Sequence, residues 1–119
     1  MTILQSAIIC KEVQELSNGN LNFINISNQF YNKEIAEFDF VVSWILQDGV
    51  YKEKITLIDP SGEAISSSEK QLEAQNYFFT SITTFTIEFE KTGVYYISIE
   101  LDDKEFMKIP VIVSSLDTQ

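Results

Sequence analysis

Apolar and polar residues alternate along much of this chain, and the alternation predicts β-strands. In the most regular run every second position is apolar: Phe38, Phe40, Val42, Trp44 and Leu46. Successive side chains of a strand point to opposite faces, so these residues share one face. Val41 and Ile45 add apolar character to the other face. The run therefore predicts a central strand covered on both sides.

The closing stretch, residues 88–113, has the pattern strand, glycine turn, strand, acidic turn, strand. Lys91-Thr92-Gly93 supplies the first turn and Asp102-Asp103 the second. Between them, alternate positions form an apolar inner row: Tyr95, Ile97, Ile99 and Leu101. The pattern predicts an antiparallel meander that closes the domain. Pro110 has no N–H for a sheet ladder, so it predicts an edge strand or a bulge there.

Shorter alternating segments predict the remaining strands: Ser6–Leu16, Leu21–Ser27, Tyr51–Ile58 and Glu63–Lys70, with one strand or a bent pair of strands in Tyr77–Glu90. Turn residues separate them. Ser17–Asn20 and Gln47–Gly49 predict hairpins, and Asp59-Pro60-Ser61-Gly62 predicts a β-turn. We expect residues 28–35 to form a polar loop and residues 71–75 an irregular crossover.

About eight strands bounded by turn signals predict an all-β fold, a single antiparallel β-sandwich that is immunoglobulin-like or a related Greek-key or meander arrangement. A chain of 119 residues predicts one domain spanning 1–119, with residues 114–119 as a frayed tail. The shared parity of the central strands predicts the core: Phe40, Val42, Trp44, Phe85, Ile87, Ile97 and Ile99.

The segments Ala7–Ile26 and Leu57–Glu63 resemble a family of uncharacterised bacterial domains of unknown function. In that family a short first strand ends in an acidic turn that carries glycine, and an Asp-Pro-x-Gly turn and a Gly-x-Tyr follow later. Asp59–Gly62 and Gly93-Val94-Tyr95 fill the last two positions here. Asn25 stands where the family often has glycine. The resemblance implies a β-sandwich and no known activity, and its turn pattern is also similar to immunoglobulin-like and calcium-dependent lipid-binding sandwiches.

The charge balance narrows the choice of partners. There are 18 acidic residues against 8 basic ones, all lysine, for a formal net charge of −10. Nucleic acids and anionic membranes attract basic surfaces, so the sequence predicts neither as a partner. The acidity suits solubility, or attraction to a basic protein. Lysine without arginine indicates an AT-rich genome, such as that of a low-GC bacterium or its phage.

Other absences bear on location and chemistry. The first ten residues have no basic region or cleavage site, and Cys10 is the only cysteine, so we expect a cytoplasmic protein. The chain has no histidine, which excludes Ser-His and Cys-His pairs and the usual zinc sites. No phosphate-binding glycine pattern occurs. We therefore expect no catalytic residue, no metal and no cofactor, with Cys10 buried in a strand.

Two surface features remain as candidate sites. Asp102 and Asp103, with Glu100 and Glu105 nearby, are expected at the same end as Asp48 and the Asn18–Asn20 turn. Calcium binds such oxygen clusters, although a solvated turn is the preferred interpretation. The aromatics Phe30, Tyr31, Tyr77, Phe78 and Phe79 fall in loops or strand ends. They are expected to plug the ends of the sandwich, with a sugar platform or protein contact as the alternative.

Tyr96 is the best candidate for a partner-facing aromatic, because it lies opposite the inner row of its strand. Glu88, Glu90 and Glu100 are predicted to surround it with negative charge. The sequence thus favours a non-enzymatic interaction module that binds another protein or itself. The alternative is a small acidic inhibitor, of phage origin, that blocks a basic nucleic-acid-binding surface of an enzyme. A calcium- or carbohydrate-binding module is the weaker alternative.

Overall fold

A computed structural model describes residues 2–115 of the chain. Nine β-strands account for most of these residues: β1 (Thr2–Glu15), β2 (Leu21–Ile26), β3 (Gln29–Tyr31), β4 (Ile35–Leu46), β5 (Gly49–Ile58), β6 (Ala64–Ala74), β7 (Phe78–Glu88), β8 (Gly93–Leu101) and β9 (Lys104–Ser114). Over this part of the chain there is no helix, so the structure contains no helix able to cross a membrane.

The strands form two sheets. The first sheet has four strands in the order β2-β1-β4-β7, and the second has five in the order β3-β9-β8-β5-β6. All pairs are antiparallel except β3 with β9, which is parallel. The predicted all-β sandwich is therefore confirmed.

The core lies between the inner faces of the two sheets. Six of the seven predicted core residues are buried: Phe40, Val42, Trp44, Phe85, Ile97 and Ile99. Ile87 is half-buried and packs against them. Rings from both sheets meet at one end, where the centroids of Phe30 and Phe38 lie 4.7 Å apart. The period-two alternation thus identified the buried faces correctly.

Two of the predicted hairpin connections instead join the sheets. Gln47–Gly49 links β4 in the first sheet to β5 in the second, and Lys91–Gly93 links β7 to β8 in the same way. Of the predicted closing meander, only the pairing of β8 with β9 is present, because β7 lies in the other sheet. A turn sequence fixes a reversal of the chain, but it does not say whether the next strand pairs or crosses to the facing sheet.

Two further predictions about irregular segments were wrong. The expected loop at residues 28–35 contains β3, because Gln29–Tyr31 pairs with Ile112–Ser114. The expected crossover at 71–75 continues β6 as far as Ala74, with Leu72 fully buried. The three residues of β3 are too few to show an alternation of apolar and polar positions. In residues 71–75, packing against the core outweighed the helix-favouring composition.

The acidic and Asn-Gly turns behave as predicted. Asp102 and Asp103 form a two-residue hairpin loop with φ angles of 49° and 67°, and Gly19 has φ of 86°. The Asp59 carboxylate accepts hydrogen bonds from the backbone N–H groups of Ser61 and Glu63, at 2.9 and 3.0 Å. These bonds explain why aspartate begins that β-turn.

Pro110 lies on β9 at a place where no outer strand covers it. The N–H of Ile112, two residues on, is directed outward to Asn28 O of the segment before β3 at 2.8 Å. Backbone groups of a strand alternate between its two sides, so the nitrogen of Pro110 faces the same side of β9 as the nitrogen of Ile112. Pairing with β3 covers Ile112–Ser114 and does not extend to Pro110. The missing N–H therefore leaves the β8 ladder intact. The predicted edge strand is correct only locally, because β9 as a whole lies between β3 and β8. Of the predicted tail, Ser114 ends β9, and residues 116–119 lie outside the described residues.

Candidate interaction surface

The outer face of the second sheet carries an exposed apolar surface centred on Tyr96. Tyr96 is 40% exposed and lies directly opposite Ile58 of β5 and Pro110 of β9. Val94 lies opposite Ile112, and both are exposed. We call these five residues, Ile58, Val94, Tyr96, Pro110 and Ile112, the Tyr96 patch.

Alternation along β8 is what turns this surface outward. Tyr95 and Ile97 are buried in the core. Val94, just before Tyr95, and Tyr96, between Tyr95 and Ile97, therefore face solvent. Sequence reasoning identified Tyr96 but missed the other four residues: Val94 lies on the same face of β8, whereas Ile58 comes from β5 and Pro110 and Ile112 come from β9. Only the register of β8 with β5 and β9 brings them together.

Glu100 shares this face but stands apart from the patch. It lies four residues along β8 from Tyr96, or about 13 Å at the usual strand rise. Its direct neighbours across the sheet are Lys54 and Glu105. Ser98, between Tyr96 and Glu100, is almost fully buried. Glu100 therefore belongs to a charged rim in which Lys54 offsets part of its charge.

The structure does not place Glu88 and Glu90 beside Tyr96. β8 is flanked by β5 and β9, whereas Glu88 ends β7 in the first sheet. Glu88 and Glu90 instead line a pocket of about 280 Å³ together with Ile65 and Lys91. The expectation of one acidic ring around Tyr96 was wrong because β7 and β8, adjacent in sequence, lie in different sheets.

A polar network stabilises that end of the sandwich. The buried Asp59 carboxylate accepts the Ser61 hydroxyl at 2.6 Å and the Lys91 ammonium at 3.1 Å. These bonds, of which that from Ser61 has the largest effect, hold the pKa of Asp59 well below its usual value. The hydrogen bond to Asp59, together with the Asp59 charge, raises the pKa of Lys91. The network is engaged internally, so we assign it a structural role.

The acidic turn is also engaged by a lysine. Asp102 Oδ1 accepts the backbone N–H of Lys52 at 2.9 Å, and the Lys52 ammonium lies 2.9 Å from Asp103. The Asn18–Asn20 turn was expected beside this acidic turn but lies at the opposite end of the sandwich. β1 begins opposite Leu46, near the acidic turn, and runs away from it to Glu15, where the Asn18–Asn20 turn follows. Within residues 2–115, no three histidine, cysteine, aspartate or glutamate side chains converge as metal ligands would.

The loop aromatics divide into two groups. Phe30 and Phe79 pack against the core, as expected for residues that close the ends. Tyr31, Tyr77 and Phe78 are exposed. Tyr77 has φ of 62°, unusual for a bulky side chain, and its N–H is bonded to the Asp48 carboxylate at 3.0 Å.

Cys10 is buried, as predicted, and gives no sign of reactivity. Burial raises the pKa of its thiol, and the nearby negative charge of Asp39 raises the pKa further. A reactive cysteine needs the opposite surroundings, namely positive charge and access to solvent.

The chain belongs to DUF6941, described as a family of unknown function, whose model matches residues 5–114. The resemblance to an uncharacterised family is thus confirmed. No functionally curated protein matches the chain.

Two solved structures resemble the fold at low sequence identity. One is the CARDB domain of the PF1109 protein from Pyrococcus furiosus in complex with di-metal ions, with TM-score 0.50 and 15% identity over 73% of this chain and 80% of that one. The other is an immunoglobulin-like protein, PA1606, from Pseudomonas aeruginosa, with TM-score 0.49 and 13% identity over 96% of this chain and 97% of that one. At these identities the likeness concerns the fold alone.

Tyr95, near the start of β8, makes the hydrogen bonds of a tyrosine corner. The Tyr95 hydroxyl donates to Lys91 O at 2.8 Å and accepts the Lys91 N–H at 3.2 Å. A tyrosine that bonds back to the backbone just upstream, where the chain crosses between sheets, is a hallmark of immunoglobulin-like sandwiches.

Proposed function

We propose that this protein is a non-enzymatic protein-interaction module and that the Tyr96 patch is its contact surface. The observation that carries the proposal is the cluster of exposed Val94, Tyr96, Pro110 and Ile112 with the half-buried Ile58 on one sheet face. Contiguous apolar surface costs free energy in water unless a partner covers it. Tyrosine suits such a contact because it combines a large apolar ring with a polar tip.

The distribution of charge supports the interaction module over the acidic inhibitor. An inhibitor that mimics nucleic acid needs its carboxylates gathered on one face. Here Glu37 and Glu88 lie on the outer face of the first sheet, whereas Glu69 and Glu100 lie on that of the second. The net charge of −10 then acts over the whole molecule, steering a basic partner towards it at low salt.

The calcium- and carbohydrate-binding alternatives have no comparable observation in their favour. The di-metal ions belong to the Pyrococcus furiosus domain, and no cluster of metal-ligating side chains forms within residues 2–115 of this chain. A cytoplasmic location remains our expectation, on the basis of the single buried cysteine.

Affinity purification with matched variants tests the proposal. Tagged wild-type protein, Tyr96→Asn and the control Tyr77→Asn are expressed in the native host, and the recovered proteins are compared by mass spectrometry. Both tyrosines are exposed, and asparagine tolerates the φ of residue 77. We expect a partner that is retained by wild type and Tyr77→Asn but lost with Tyr96→Asn. A partner retained equally by all three excludes the Tyr96 patch.

A further inference from the structure

The first sheet contains a gap along one side of β4. Pairing of β4 with β7 extends to Ile35, but pairing of β4 with β1 ends at Asp39, opposite Cys10. Beyond that point β1 no longer pairs with β4 along the backbone, and the N–H of Val13 bonds instead to the Asp39 carboxylate at 3.0 Å. Ile35–Phe38 therefore has a strand neighbour on the β7 side only.

The backbone groups that face this gap follow from the ladder. The N–H of Leu46 donates to Tyr77 O of the β7 side at 3.1 Å. Backbone N–H and C=O groups alternate between the two neighbours of a strand, and β4 pairs with β7 without a register shift from Ile35 to Ile45. Ile35 and Glu37 thus direct their N–H and C=O groups into the gap. Ala36 and Phe38 direct theirs towards β7.

A pocket of about 400 Å³ lies beside this open edge. It is lined by Ile35–Phe38, by Asn25 and Ser27 around the end of β2, and by aromatic residues of β3. This volume is typical of ligand sites. Ile35 is 72% exposed, and Asn25 holds a φ of 54° within β2. The unpaired edge of β4 thus borders this largely apolar pocket, which is called the cleft below.

Charge favours a basic occupant for this cleft. Glu34 and Glu37 both line it and are exposed, against one lysine, Lys11. Among the described residues, none of these three side chains forms an ion pair. Two free carboxylates against one ammonium complement a segment that carries lysine or arginine.

We propose that the gap, here called the β4 groove and formed by Ile35–Phe38, Asn25 and Ser27, binds an extended basic peptide that adds as a strand to β4. The peptide backbone exchanges hydrogen bonds with Ile35 and Glu37, apolar side chains enter the cleft, and a cationic side chain contacts Glu37. Strand addition at an exposed edge is an established way to bind peptides. The groove belongs to the first sheet, so it is separate from the Tyr96 patch.

The test uses a peptide of eight residues that alternates lysine and valine, added to the ¹⁵N-labelled protein. Amide hydrogen exchange of β4 is followed by NMR. We expect the amides of Ile35 and Glu37 to exchange at least about tenfold more slowly with peptide, because new backbone bonds protect them. The amides of Ala36 and Phe38, already bonded to β7, should not change. No protection of Ile35 and Glu37 at millimolar peptide overturns the proposal.

Two controls separate strand addition from adsorption by charge. The same peptide methylated at every backbone nitrogen keeps its charges but has no N–H donor on either edge, and its methyl groups block close approach of a strand, so it should give no protection. Equal protection by the methylated peptide overturns the proposal. Glu37→Lys should weaken binding at least about tenfold, whereas Glu69→Lys, with the same change in charge on the second sheet, should have little effect. Equal weakening by both variants would show adsorption by net charge and exclude the groove.

Discussion

The indole N–H of Trp44 donates a hydrogen bond of 2.7 Å to the carboxylate of Glu53, and both side chains are completely buried. The other Glu53 oxygen accepts the Ser81 hydroxyl at 2.5 Å. Trp44 and Ser81 belong to the first sheet and Glu53 to the second, so a single carboxylate joins the two sheets inside the core. Burying it is tolerated because both oxygens have donors.

Replacing Glu53 by leucine should destabilise the protein, because the donors of Trp44 and Ser81 then remain buried without an acceptor. The expected cost is about 1–3 kcal/mol for each unsatisfied donor. Urea unfolding followed by tryptophan fluorescence measures it, with Glu69→Leu on the exposed face as the control. Adding Ser81→Ala to Glu53→Leu should recover part of the loss. Equal stability of Glu53→Leu and wild type would contradict this role.

Truncating Trp44 itself should be more costly. The ring is fully buried and meets Phe106 edge to face at a centroid distance of 5.2 Å. Trp44→Ala loses this packing, leaves a cavity and frees the Glu53 carboxylate, so we expect a cost of about 3–5 kcal/mol. Denaturant titration followed by circular dichroism measures it. A cost below about 1 kcal/mol would mean that the core does not depend on this residue.

Acid should weaken the turn after β5 through Asp59. Its pKa is held well below the usual value, so its contribution to stability is complete above about pH 4, the unfolded value, and is lost as pH falls towards the folded value. Asp59→Asn should therefore be less stable than wild type at pH 7, with the difference shrinking below pH 4. Thermal melts between pH 7 and pH 2 measure this. A difference independent of pH would exclude the linkage.

The absence of metal dependence remains a prediction. Asp102 and Asp103 are already engaged by Lys52, so calcium would have to displace existing bonds. Melts in calcium and in chelator should superpose. A calcium-dependent rise of several degrees would restore the metal-binding alternative, because a ligand stabilises the state that binds it.

Inner faces were predictable from sequence, whereas sheet membership was not. Alternation marks Phe40, Trp44 and Ile97 as buried whatever their strand neighbours are. Whether the chain after Gly49 pairs back or crosses depends on long-range register, which a turn sequence does not encode. For the same reason Tyr96 was recognised as outward-facing, but its contacts with Ile58 and Pro110 were not.

The burial of polar residues was the other feature that could not be predicted from the sequence. Glu53 lies between Lys52 and Lys54 in a segment that resembles an exposed, charged stretch. Its position is explained by donors from two other strands, which local pattern cannot reveal. The β4 groove was missed similarly, because it arises where β1 stops pairing within an otherwise continuous alternation.

Site-specific photo-crosslinking at residue 96 tests the contact surface most directly. Tyr96 is replaced by benzoylphenylalanine in the native host, with the same replacement at the exposed Tyr77 as the control. After irradiation we expect a discrete covalent adduct with a partner protein, or with a second copy, from position 96 and not from position 77. Adducts from position 77 alone, or none from position 96, would contradict the Tyr96 patch as the interaction surface.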